Sequence, residues 1–173
     1  MNMDLFLVKL HPASVHFPIA LLLLASISAL FYLYGKRLQL LLTLVWPLMG
    51  LGWIAAIGAA LTGLITQRGL PPQAPYQSIL NWHISTGLAQ IVVYGLLLYQ
   101  RWRYPLLAKQ RARRRGERSA DASNLATPDE LLNDSASRIW ITLLLLLGIV
   151  LILASGWNGG RLVFEWGVNV VGK

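Results

Sequence analysis

The three histidines are the residues whose chemistry and position indicate a functional site. His11, His16 and His83 fall near the same predicted depth, His16 about one turn into the first apolar stretch and His83 about one turn into the third. Ionisable residues inside a membrane span are costly, so they tend to face the interior of a helix bundle and often mark function. The matched depth predicts that His16 and His83 face each other.

Three roles fit imidazoles in this arrangement. Neutral imidazoles on facing helices can hold a b-type haem, with one nitrogen on each side of the iron. Haem b would take His16 and His83 as axial ligands, with His11 supporting a ligand or contacting a propionate. A metal ion such as zinc or copper would need three or four ligands, for which Glu165 is a further candidate. Alternatively, each histidine only hydrogen-bonds a backbone carbonyl or a lipid headgroup.

The composition indicates that an integral membrane protein holds these histidines. The 173 residues are 55% hydrophobic and 13% charged, whereas a soluble domain carries roughly 25% charged residues. Cysteine is absent, which excludes disulfides, thiolate metal sites, iron–sulfur clusters and covalently attached haem. The net charge of +8 does not indicate a nucleic-acid partner, because that needs a basic face on a folded module.

Four stretches have the roughly 20 mostly apolar residues that a spanning helix needs. The spans are predicted over residues 15–34, 40–65, 80–99 and 139–157, with a loop over residues 101–138. We therefore expect residues 1–173 to form one all-α domain, a bundle of four transmembrane helices. Small residues recur at helical spacing in the second span, on one stripe at Gly52, Ala56 and Ala60 and on the next at Ala55, Ala59 and Gly63. Such stripes usually mark close helix contacts.

The distribution of lysine and arginine predicts the orientation, because short cytoplasmic loops are enriched in them. Eleven of the 15 basic residues fall between the first two spans or in the loop of residues 101–138. We therefore expect a bacterial inner-membrane protein with both termini outside the cytoplasm, an N-out and C-out topology. The cluster from Lys109 to Arg118 is expected to bind anionic lipid headgroups. It lacks the interleaved aromatic residues of a nucleic-acid platform.

The segments that contain the histidines resemble a known family. His11-Pro12-Ala13-Ser14-Val15-His16-Phe17-Pro18-Ile19-Ala20 is similar to the HP-x-x-VHFPIA signature of the bacterial membrane family called domain of unknown function 2231 (DUF2231). Residues 81–87 (NWHISTG) resemble its second histidine region, and residues 159–164 (GGRLVF) resemble its closing GG-x-LVY element. The likeness covers nearly the whole chain. Relatives often carry a histidine after the closing element, where this chain has Trp166.

The resemblance implies a role in membrane electron transfer, because some members are joined to Rieske or cytochrome-like domains; this is an association between proteins. The first hypothesis is therefore a b-type haem or electron-transfer subunit with His16 and His83 as ligands near the outer face. The alternative is a cofactor-free accessory subunit of a larger respiratory or photosynthetic complex, or a homo-oligomer. An enzyme is not expected, since no nucleophile or second carboxylate stands beside Glu165. A transporter is not favoured, since the spans lack evident internal repeats.

Overall fold

The four predicted spans are confirmed as four long helices in a computed structural model of the chain. The structure describes residues 11–12, 14–36, 38–67, 70–114 and 128–168. The helices are α1 (His16–Tyr34), α2 (Gln39–Gln67), α3 (Gln77–Arg114) and α4 (Ser135–Phe164), with a 3₁₀ helix over Pro128–Asn133 before α4. By length and composition, all four α-helices can cross a membrane. Within the described residues the chain is all-helical, as the composition predicts.

Helix α3 extends past its predicted span mainly at the end opposite the histidines, and α4 extends past its predicted span at both ends. Helix α3 continues to Arg114, so the first part of the expected loop over residues 101–138 is helical. Its arginines, alanines and leucines are good helix formers, which explains the extension. The middle of that loop, including part of the basic cluster, lies outside the described residues. The 3₁₀ helix buries Leu131 and Leu132 against the bundle.

The bundle consists of two helical hairpins, because the most extensive helix contacts join α1 to α2 and α3 to α4. Each hairpin is antiparallel, and the two pack together around one apolar core. In α2, Gly52 lies against the side chain of Leu22 on α1, where an added Cβ would approach within 2.8 Å. The small residues of the second span therefore mark a close helix contact, as predicted.

The two hairpins contain an internal repeat. Positions in α1 and its preceding turn correspond to positions in α3 that are numbered 72 higher, and positions in α2 correspond to positions in α4 numbered 96 higher. Buried positions match under this rule: Leu22 with Tyr94, Ala25 with Leu97, Val45 with Ile141, Met49 with Leu145, Gly52 with Gly148, and Ala56 with Ile152. The 24 additional positions fall between residues 106 and 135, in the extension of α3 and in its connection to α4.

Equivalent positions also make equivalent contacts. An added Cβ at Gly148 would lie 2.8 Å from the Tyr94 ring, just as one at Gly52 would lie 2.8 Å from Leu22. The expectation that the spans lack an internal repeat is therefore wrong. The repeat is hidden in the sequence because few of the paired residues are identical, although several equivalent positions share their burial and their contacts.

Candidate functional site

The rings of His11 and His83 lie next to each other at one end of the bundle, which we call the histidine end. Their centroids are 6.3 Å apart and their planes are inclined at 76°. His83 belongs to α3, whereas His11 precedes α1 and accepts a 3.2 Å hydrogen bond from the Val15 backbone N–H. The two residues occupy equivalent positions in the two hairpins. The structure thus pairs His83 with His11. The sequence had predicted His16 as the partner of His83 and His11 only as a supporting residue.

Each of these histidines is fixed to the second helix of its own hairpin. The Nδ1 atom of His11 lies 2.9 Å from the Ala59 carbonyl oxygen, and the Nδ1 atom of His83 lies 2.9 Å from the Ser155 carbonyl oxygen. A carbonyl oxygen only accepts hydrogen bonds, so each Nδ1 carries the proton, and in the neutral ring Nε2 keeps its lone pair. Among the described residues none hydrogen-bonds to either Nε2.

Hydroxyl groups reinforce both anchors. The Thr62 hydroxyl oxygen lies 3.2 Å from Nδ1 of His11, and the Ser155 hydroxyl oxygen lies 3.3 Å from Nδ1 of His83. At the backbone of each histidine, a hydroxyl three residues later donates to the carbonyl oxygen. Ser14 donates to His11 at 3.0 Å, and Thr86 donates to His83 at 3.1 Å. The hairpin repeat therefore extends to the two anchoring carbonyls, at Ala59 and Ser155, and to the hydroxyls of Ser14 and Thr86, whereas the Thr62 and Ser155 hydroxyls do not occupy equivalent positions.

A glycine lies against each ring, one turn beyond the carbonyl that anchors it. An added Cβ at Gly63 would lie 2.9 Å from Cε1 of His11, and one at Gly159 would lie 3.0 Å from Cε1 of His83. Real Cβ atoms are rarely found this close to another heavy atom, so each ring needs a residue without a side chain at this position. From the sequence, Gly63 was predicted only to belong to a packing stripe. The contact of Gly159 with the His83 ring was not predicted.

The surroundings of the His11 ring favour its neutral form. Burial lowers its pKa, the hydrogen bond to the Ala59 carbonyl opposes this shift, and the nearby His83 lowers the pKa further. A neutral imidazole with Nδ1–H donated to a carbonyl is the form in which the other nitrogen, Nε2, can bind a metal.

His16 lies apart from this pair. It is exposed, and its Nδ1 lies 3.0 Å from the Pro12 carbonyl oxygen within the same turn of the chain. Five residues separate it from His11, which corresponds to about 140° around a helix. The side chain lines the same cavity as the pair, but it is not the neighbour of His83. Depth alone therefore did not identify which histidine faces His83.

A cavity of about 540 Å³ contains both paired histidines and is bounded by all four helices. Its walls are mostly apolar and many of the lining residues are small: Ala56, Ala60, Gly63, Gly87, Gly156 and Gly159. The volume lies in the range of about 300–1,000 Å³ that is typical of small-molecule and cofactor sites. Gln90 is a polar side chain in the deeper wall.

The other candidate residues lie outside the histidine pair. Glu165 forms an exposed ion pair with Arg161, with Nε and Oε1 2.9 Å apart. In the part of the chain that the structure describes, no group of three or more histidine, cysteine, aspartate or glutamate residues could hold a metal ion. Trp166 packs on Tyr76 at a centroid distance of 5.8 Å and does not line the cavity.

Comparison with known proteins gives one match. The sequence model of a family described as "Predicted membrane protein (DUF2231)" matches residues 8–172, a region that contains all three histidines. No curated protein and no solved structure matches the chain.

Proposed function

The chain belongs to the DUF2231 family of predicted membrane proteins, and we propose that it is a membrane-embedded b-type haem protein that transfers electrons. His11 and His83 are the axial ligands in this proposal. The observation that carries it is the pair of imidazoles 6.3 Å apart, each with Nδ1 held by a backbone carbonyl and Nε2 free.

The number of ligands favours haem over a metal ion bound by the protein alone. A zinc site needs three or four protein ligands, whereas a haem iron needs only two from the protein because the porphyrin supplies the other four. The described residues provide two imidazoles and no third ligand beside them.

The spacing of the rings supports the same proposal. A histidine nitrogen binds a metal at about 2.0 Å, which puts the ring centroid about 3 Å from the metal. Two imidazoles on opposite sides of one iron therefore have centroids about 6 Å apart. The observed distance of 6.3 Å between the His11 and His83 centroids is close to that value.

The surroundings of the pair suit a redox cofactor. Bound haem supplies one-electron chemistry, and a protein tunes it through the axial ligands, the hydrogen bonds to those ligands and the degree of burial. Here the carbonyls of Ala59 and Ser155 fix the orientation of the ligands and raise their basicity. The walls of the cavity that holds the pair are mostly apolar.

The proposal includes a membrane orientation and a lipid contact. The histidine end faces the outside of the bacterial inner membrane, with both termini on that side, because the basic residues are concentrated at the other end. Anionic lipid headgroups bind the basic cluster from Lys109 to Arg118. A larger redox complex is the expected electron-transfer partner.

The test is a reduced-minus-oxidised optical spectrum of the purified chain, with iron analysis. We expect a b-type α band that is lost in His11→Ala and in His83→Ala and retained in His16→Ala. Added imidazole should restore the band in the first two variants if they fold. Absence of both the band and iron from the wild type would leave a cofactor-free accessory subunit, and loss of the band in His16→Ala with retention in His11→Ala would overturn the ligand assignment.

A further inference from the structure

A second cavity lies at the end of the bundle opposite the histidines. Its volume is about 280 Å³, and Tyr99 and Arg103 of α3, Trp140 of α4 and Leu131 of the 3₁₀ helix contribute to its walls. The apolar spans predicted from the sequence end at Tyr99 and begin again at Ile139. The cavity therefore lies at the depth where the hydrocarbon of a membrane gives way to the lipid headgroups.

Hydrogen-bond donors with no acceptor of their own are gathered at this cavity. Arg103 is exposed, and within the described residues its partner is Tyr99, whose hydroxyl oxygen accepts from Nη1 at 3.3 Å and whose ring centroid lies 5.4 Å from the guanidinium carbon. Because the Tyr99 oxygen accepts this bond, its own proton is available to another acceptor. The Trp140 indole N–H is a donor only, and nothing in the described part of the chain accepts its proton. No carboxylate of the described residues pairs with Arg103, so the cavity suits an anion that brings acceptor oxygens.

The hairpin repeat shows that the fold does not require polar groups on this surface. In the first hairpin the positions equivalent to the three donors are occupied by Ile27, Phe31 and Leu44. All three side chains are apolar and exposed, which is the ordinary condition of residues that face lipid. The second hairpin therefore departs from the repeat at three positions, and all three departures meet at one cavity.

An apolar surface continues from the cavity towards the middle of the membrane. On α3 it consists of Leu96 and Val92, and on α4 of Leu143 and Leu147, and all four side chains are exposed. They follow the cavity residues of each helix at intervals of three or four, so they lie on the same helix faces as those residues. Helices α3 and α4 pack against each other. A site for an anion is thus joined to a surface for hydrocarbon chains.

We infer that this cavity binds one anionic phospholipid, whose phosphate accepts hydrogen bonds from Arg103, Tyr99 and Trp140 and whose acyl chains lie along the apolar surface. Arginine and phosphate form strong charge-assisted hydrogen bonds, and basic pockets between transmembrane helices bind anionic headgroups. A zwitterionic lipid would also bring an ammonium group, for which the described walls offer no carboxylate. The site is separate from the basic cluster from Lys109 to Arg118, and it does not depend on a bound haem.

The experiment is native mass spectrometry of the full-length protein, delipidated in detergent and titrated with dioleoylphosphatidylglycerol or with dioleoylphosphatidylcholine. We expect a first phosphatidylglycerol adduct that forms about tenfold more tightly than the phosphatidylcholine adduct. Equal affinities for the two lipids overturn the inference. Inorganic phosphate and glycerophosphoglycerol, the headgroup without acyl chains, should not displace the first adduct when present in large excess. Displacement by either compound means that the site takes a free phosphate and overturns the assignment to a lipid.

Three variants separate a formed site from general attraction between charges. Arg103→Gln should weaken the first phosphatidylglycerol adduct about tenfold, and Trp140→Phe, which removes the N–H but keeps an aromatic ring, should weaken it about threefold. Arg114→Gln makes the same change of charge on the same helix, outside the cavity, and should leave the first adduct unchanged. Equal losses in Arg103→Gln and Arg114→Gln would overturn the inference.

A melting experiment separates lipid binding from a structural role of Arg103. Because Arg103 is exposed, delipidated Arg103→Gln should melt at the wild-type temperature, and added phosphatidylglycerol should raise the melting temperature of the wild type more than that of the variant. A delipidated variant that melts lower, with the same response to the lipid as the wild type, means that Arg103 is structural and overturns the inference. None of these measurements needs haem, so failure of the proposed haem site leaves the lipid site intact, and the reverse also holds.

Discussion

His11 and His83 lie next to each other on different hairpins, with 6.3 Å between their ring centroids and their planes inclined at 76°. The His11 ring is fixed to α2 through Ala59, and the His83 ring is fixed to α4 through Ser155. Each hairpin thus contributes one complete and independently anchored imidazole. A ligand that binds both rings joins the two halves of the protein.

Haem should therefore stabilise the association of the two hairpins. A ligand that binds only the folded state raises the free energy of unfolding by about 2.7 kcal/mol at 100 times its Kd. We expect the melting temperature of the wild type to rise with haem concentration. Protoporphyrin IX without iron, which cannot bind axial ligands, is the control. A rise of the same size with the iron-free porphyrin would contradict ligation by the two histidines.

Alanine at either of the two glycines beside the rings should disrupt the site. In Gly63→Ala the new Cβ would lie 2.9 Å from the His11 ring, and in Gly159→Ala it would lie 3.0 Å from the His83 ring. Overpacking of this kind typically costs about 1–3 kcal/mol, so both variants should lose stability and haem affinity. Thermal melts and haem titrations measure the two effects.

The matched control is Gly58→Ala in α2, where an added Cβ would meet nothing within 4 Å. It should bind haem like the wild type and change the free energy of unfolding by no more than about 1 kcal/mol. Equal effects of Gly58→Ala and Gly63→Ala would show that contact with the His11 ring is not what requires a glycine.

Ser26 and Tyr94 link the two hairpins below the cavity, and their substitutions should have unequal effects. Ser26 donates to the Leu22 carbonyl oxygen at 2.8 Å, so the Tyr94 hydroxyl donates to the Ser26 oxygen at 2.7 Å. Tyr94→Phe removes this bond but leaves Ser26 bonded, at a cost of about 0.5–1.5 kcal/mol. Ser26→Ala leaves the fully buried Tyr94 hydroxyl without its acceptor, at a cost of about 1–3 kcal/mol.

Unfolding of the single and double variants in detergent and denaturant would measure this difference. We expect Ser26→Ala to be less stable than Tyr94→Phe, and we expect Tyr94→Phe to recover part of the loss when it is added to Ser26→Ala. If Tyr94→Phe is the more destabilising of the two single variants, the direction assigned to the hydrogen bond is wrong.

The sequence was sufficient to predict the four helices because a membrane span has a simple physical requirement, about 20 apolar residues in succession. Helix α1 begins within a residue of its prediction. The need for apolar residues applies only within the membrane. It therefore could not predict that α3 extends beyond its span to Arg114. The helix propensity of residues 101–114 explains the extension instead.

The pairing of the histidines could not be read from depth, because depth does not specify the direction in which a side chain points. His16 and His83 share a predicted depth, but the anchoring carbonyl and glycine on the neighbouring helix select His11. One sequence signal was available. Gly52 and Gly63 are 11 residues apart in α2, and Gly148 and Gly159 are 11 residues apart in α4. That shared spacing marks the hairpin repeat, and the repeat makes His11 the counterpart of His83.

The orientation in the membrane can be tested with single cysteines, because the chain contains none. Gln73 lies in the connection between α2 and α3 at the histidine end, Lys36 lies between α1 and α2 at the opposite end, and both are exposed. The positive-inside rule predicts that a membrane-impermeant maleimide added to intact cells labels Gln73→Cys and not Lys36→Cys. Both variants should be labelled once the membrane is permeabilised, which controls for reactivity. Labelling of Lys36→Cys alone in intact cells would invert the topology and place the paired histidines at the cytoplasmic face, where an electron-transfer partner would have to be sought.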